Sequence, residues 1–129
     1  MTSRPRFRIT PHSARWFAAG LVLVGVLIGS LVPGGTLPVS IDMEPHMKHF
    51  VAFSLLGFLF ATALKAGWRR ALVVALGLGL LGFAIEIAQL FIPDRSFLWI
   101  DVAAGFVGAL GGAVLGAVLR WVVGRGSEV

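Results

Sequence analysis

Phe83-Ala84-Ile85-Glu86-Ile87-Ala88-Gln89-Leu90-Phe91-Ile92-Pro93 places Glu86 and Gln89 inside a run that is otherwise apolar enough for a lipid bilayer. An ionisable side chain near the centre of a membrane helix costs about 2.5–3.5 kcal/mol on insertion scales. Such a residue persists where it faces protein or water and finds partners. The rest of the chain is therefore read first for what surrounds this run, and then for what meets Glu86.

Pro93-Asp94-Arg95-Ser96 follows at once, and a second apolar run begins at about Phe97. So short a link makes the two segments antiparallel neighbours. Four apolar segments can be drawn in all, at about 16–32, 49–66, 71–92 and 97–123. Each is close to the roughly 20 residues a helix needs to cross a hydrocarbon core. The 129 residues are 57% hydrophobic and 13% charged, with a mean hydropathy of +0.92. A soluble domain this small has no interior large enough to hide that much apolar side chain, so lipid must serve as part of the solvent. The expected fold is all-α and polytopic: a basic arm over 1–15, one four-helix transmembrane domain over 16–123 and a tail over 124–129.

The net charge of +5 is placed by topology and calls for no nucleic-acid partner. Arg4, Arg6, Arg8, Arg15, Lys65, Arg69, Arg70, Arg120 and Arg125 fall on one side of the membrane, and Lys48 and Arg95 on the other. This positive-inside pattern puts both termini and the 65–70 loop in the cytoplasm, with the 33–48 and 93–96 loops outside. The Pro- and Gly-containing loop 33–48 is expected to lie irregularly along the interface. The first segment ends in Val32-Pro33-Gly34-Gly35 without a small-x-small cleavage site, so it reads as an uncleaved helix and not as a signal peptide. No cysteine is present, which excludes disulfides and thiolate chemistry.

Glu86 and Gln89, three apart, share a helix face. By helical rise they lie about 10 and 6 Å from Pro93, and Asp101 about 8 Å past Ser96 on the neighbouring segment. Lys48 and His49 begin the second segment at the same end, and Arg95 sits in the link. Gly108, Gly112 and Gly116 recur every fourth residue, with Gly105 on the same face, a spacing that lets helices approach closely in lipid. Asp101, four before Gly105, shares that face and points into the bundle.

These residues support several functions. As a ligand site, Arg95 and Lys48 or His49 would meet the phosphate of a lipid or lipid-linked envelope molecule. Glu86, Gln89 and Asp101 would then orient the cations and contact hydroxyls or amines. As an enzyme, a lipid-headgroup hydrolase or transferase, the site would use Glu86, His49 and Asp101 for acid–base work while Arg95 stabilised developing charge. A proton-coupled exporter is disfavoured, because the acids cluster near one face and not at the midplane. A structural reading pairs Glu86 with Arg95 or Lys48 and uses Asp101 as a cap for its helix. A metal reading needs His49, Glu86 and Asp101, with Gln89 in reach. No close-spaced histidine pair supports it, so neither metal nor cofactor is expected.

His49-Phe50, Glu86-x-x-Gln89, Arg95-Ser96-Phe97 and Asp101 before a Gly-rich helix together resemble the VanZ-like family of small bacterial membrane proteins. Gly57 matches a small residue that the family carries in its second helix, and the similarity spans about 45–119. Two departures stand out. Pro45 and His46 occupy the place of a family Asp-Lys pair, and Gly105 that of an Asn. The resemblance implies a multi-pass protein of the bacterial inner membrane, in an envelope setting linked through one member to glycopeptide-antibiotic resistance.

Overall fold

The computed structural model describes residues 10–38, 42–65 and 67–126. Arg4, Arg6 and Arg8 of the basic arm and the last three residues of the tail lie outside them. Four helices make up the described chain: α1 (Pro11–Leu31), α2 (Pro45–Ala63), α3 (Trp68–Gln89) and α4 (Trp99–Gly126). All four are long and apolar enough to cross a membrane.

Helix starts differ from the hydropathy boundaries because polar caps and prolines, not apolarity, set them. α1 begins inside the expected arm. Thr10 accepts the Ser13 N–H on Oγ1 at 3.2 Å, and Pro11 takes the first position, where its missing N–H has no cost. Pro45 likewise opens α2, so His46, Met47 and Lys48 form its first turn and not part of the irregular loop. α3 ends at Gln89. Beyond it the chain tightens into i→i+3 bonds from Leu90, Phe91 and Ile92, and Asp94 adopts φ +61° to turn the chain. The link to α4 therefore runs over 90–98.

The tightest pair is α2 with α4, and the two run parallel. Phe50, Ser54 and Phe58 lie opposite Gly108, Gly112 and Gly116 in constant register. A Cβ on Gly108 or Gly112 would overlap the carbonyl of Phe50 or Ser54, and one on Gly57 would overlap the Ala109 carbonyl. Backbone thus packs on backbone, the contact that favours small residues where lipid gives apolar side chains no reason to leave it. α3 returns antiparallel to α4, with Gly79 set against the Phe106 ring. α1 is the outlier: Ala19 is its only buried residue. It leans on the bundle through contacts such as the edge-to-face pair of Trp16 and Phe60, 6.0 Å apart.

This arrangement gathers the end of α1 and the starts of α2 and α4 around the end of α3. Lys65, Arg69, Arg70, Arg120 and Arg125 belong to the opposite end. There Arg125 stacks over Trp121 with its guanidinium carbon 4.0 Å from the ring centre.

Candidate functional site

Phe53 forms the floor of the site. Its side chain is fully buried, and Gly82 of α3 and Gly105 of α4 leave room for the ring: a Cβ on either would lie 3.4–3.5 Å from it. Gly105 therefore accommodates an aromatic ring, unlike the backbone contacts of Gly108 and Gly112. Above Phe53, with ring centroids 6.2 Å apart, sits the imidazole of His49.

His49 lies between two acids. Its Nε2 is 3.5 Å from Glu86 Oε1, and its Nδ1 is 3.6 Å from Asp101 Oδ2. Glu86 is held from the other side by the Leu98 N–H, which donates to Oε2 at 3.1 Å. Both carboxylates thus sit at the N-terminal end of α4, where the helix dipole and free N–H groups favour negative charge. Phe83, Phe97 and Trp99 pack together over this turn, with Phe97 and Trp99 edge-to-face at 4.9 Å, and fix the α3–α4 link that presents Leu98.

Gln89 and Arg95 point elsewhere. Gln89 Nε2 donates to the Ser30 carbonyl at 2.9 Å. Arg95 donates through Nη2 to Gly29 O at 2.8 Å and to Val32 O at 3.1 Å, and through Nε to Val32 O at 3.3 Å. The last carbonyls of a helix have no partner within it. These two side chains supply partners for α1 across the bundle. The sequence alone pointed to Arg95 as a phosphate or Glu86 partner and gave no sign of this role, because main-chain acceptors leave no mark in a sequence.

The structural pairing of Glu86 with Arg95 or Lys48 is not what forms: among the described residues the basic side chain within 4 Å of its carboxylate is His49. Nor does Asp101 turn back on its own helix as a cap, since it faces the imidazole. The three residues that a metal reading requires do converge, each offering a ligand atom within 4.8 Å of the others. Gln89 does not join them.

A cleft of about 780 Å³ opens beside this cluster. Lys48, His49, Gln89, Arg95, Ser96 and Asp101 lie at its polar end, and Val22, Val26, Val51 and Leu55 line it between α1 and α2. Asp94 and Gly34 close its rim, where a Cβ on Gly34 would touch the Asp94 carbonyl at 3.4 Å. His46, on the first turn of α2, does not line it.

A family model described as VanZ/LLP1 matches residues 9–120. The chain belongs to the VanZ/LLP1 family. The match takes in α1, which the motif resemblance over 45–119 did not reach, so the VanZ/LLP1 unit here includes the helix that Gln89 and Arg95 hold. No curated protein and no solved structure matches the chain.

Proposed function

We propose that this VanZ/LLP1 protein binds an amphipathic cell-envelope molecule, a lipid or lipid-linked species with an anionic headgroup, at the outer face of the bacterial cytoplasmic membrane. The supporting observation is the cleft: about 780 Å³, apolar between α1 and α2 and polar at one end, with Lys48 on its lining. A pocket of that size, largely apolar with a few convergent polar groups, suits a ligand with one chain and one head. The distribution of Arg and Lys supports an orientation with both termini inside and the cleft's polar end outside. In this reading Lys48 faces phosphate, and His49 and Asp101 take up hydroxyls or amines at the cleft wall. Glu86 acts from behind His49, and Gln89 and Arg95 would have to exchange their α1 carbonyls for the headgroup. The link of one VanZ-like member to glycopeptide-antibiotic resistance supports a cell-envelope setting for such a ligand.

Mass spectrometry of lipids co-purified with the wild type, with Lys48→Ala and with Glu86→Gln at equal folded yield tests this. A specific envelope lipid enriched with wild type and depleted from Lys48→Ala is the expected outcome. Identical bulk-membrane profiles from all three would refute it.

An enzyme acting on a lipid-linked substrate is the second reading, favoured by an imidazole whose two nitrogens each face a carboxylate. Such a group can pass protons in either direction. Turnover of the enriched lipid, abolished in Glu86→Gln while the lipid still binds, would separate catalysis from binding.

A further inference from the structure

We propose that His49, Glu86 and Asp101 together hold one divalent metal ion between α2, α3 and α4. The inference does not depend on the headgroup reading, because an ion can be retained whether or not a lipid enters the cleft.

Hydrogen bonding gives the first support. His49 Nδ1, Glu86 Oε1 and Asp101 Oδ1 are buried and have no hydrogen-bond partner. Glu86 is 1% exposed and Asp101 6%. A buried polar atom left unsatisfied costs about 1–3 kcal/mol, and more when charged. Nearby groups do not share this condition: Gln89 and Arg95 are satisfied by α1 carbonyls. The orphaned atoms belong to three side chains that converge on one another.

Distance gives the second. An imidazolium clamped between two carboxylates would close to about 2.7–2.9 Å, the length of charge-assisted hydrogen bonds. The observed separations are 3.5 and 3.6 Å. Two ligands sharing a tetrahedral ion at about 2.0–2.1 Å stand roughly 3.3–3.5 Å apart, and because an imidazole offers one ion only one of its nitrogens, one of these two separations spans it while the third ligand must swing in. One ligand atom from each of the three residues lies within 4.8 Å of the others, a spread that binding would close by side-chain rotation. The Leu98 N–H already fixes Glu86 Oε2 and leaves Oε1 forward as a single ligand atom.

Charge gives the third. With both acids deprotonated and the imidazole neutral, as metal ligation requires, the cluster would carry two negative charges, which a divalent ion cancels. The guanidinium of Arg95 makes its hydrogen bonds to Gly29 and Val32 instead. One imidazole nitrogen and two carboxylate oxygens, with no thiolate, suit zinc, manganese or cobalt. Three protein ligands leave a coordination position open. His49 and Asp101 line the cleft, so that position faces it and takes water or an anionic oxygen.

The test uses tag-free full-length protein in detergent, stripped with EDTA and titrated with cobalt chloride. Folded wild type should develop visible ligand-field absorbance saturating near one ion per chain, and zinc should displace it. Glu86→Gln and Asp101→Asn should each weaken cobalt binding by at least about tenfold. His46→Ala, which removes a histidine outside the cluster, should leave it unchanged. Absence of any spectral change in folded wild type would overturn the proposal without recourse to a variant. Cobalt binding equal to wild type in both acid variants would overturn it too. Lipid analysis of the same samples keeps the two readings apart: bound metal with no enriched lipid refutes only the headgroup reading, and enriched lipid with no metal refutes only this one.

Discussion

Arg95 is legible in the sequence as a cation in the link between the third and fourth segments, yet its partners are not. Its guanidinium bonds the carbonyls of Gly29 and Val32, more than sixty residues away. Arg95→Ala leaves the Val32 and Gly29 carbonyls without these donors, a loss of about 1–3 kcal/mol. The variant's melting temperature in detergent should fall by several degrees. Arg95→Lys, which keeps charge but not the planar fork, should recover only part of it. Glu86 and Asp101 were legible for a different reason. A carboxylate in an apolar run is costly enough that its presence alone announces a partner. The sequence gathered His49 with them at one end but paired Glu86 with Arg95 or Lys48 and made Asp101 a cap, so the shared partner needed the structure. The Leu98 N–H that fixes Glu86 is main chain and carries no signature.

Among the elements, hydropathy was sufficient for the number of helices and insufficient for their ends. Thr10 with Pro11, and Pro45, start α1 and α2 ahead of the apolar runs, since a cap acts through hydrogen bonds and not through hydrophobicity. The fourfold glycine spacing pointed to a close-packed face, but the identity of the facing helix needed the structure. Two adjacent glycines of α4 make opposite predictions. A Cβ at Gly112 would overlap the Ser54 carbonyl, whereas one at Gly111 meets nothing within 4 Å. Gly112→Ala should therefore force α2 and α4 apart and reduce the folded yield on detergent gel filtration. Gly111→Ala should be tolerated, with up to about 1 kcal/mol gained from helix propensity.

At the level of the molecule, the four spans follow from length and apolarity, and the proposed orientation rests on charge. The absence of cysteine makes that orientation easy to examine, since any introduced thiol reacts without background. Thr36→Cys, in the α1–α2 loop, should react with a membrane-impermeant maleimide on intact cells. Gly67→Cys, at the start of α3, should react only after permeabilisation. The reverse pattern would turn the protein over and place the cleft's polar end in the cytoplasm.

The parallel register of α2 and α4 has a mechanical consequence. Helices that touch through their backbones cannot slide or part without breaking every contact in the row, so the pair behaves as a fixed rail. α3 has eight buried residues, packs along α4 and adds to that stiffness. α1 buries one, and elements with so few contacts supply the low-cost motions of a fold. The cleft accordingly has one immovable jamb and one leaf. The leaf is hung at its end from Gln89 and Arg95, and a ligand of the proposed kind, arriving sideways from the lipid, would need to displace only α1 to enter.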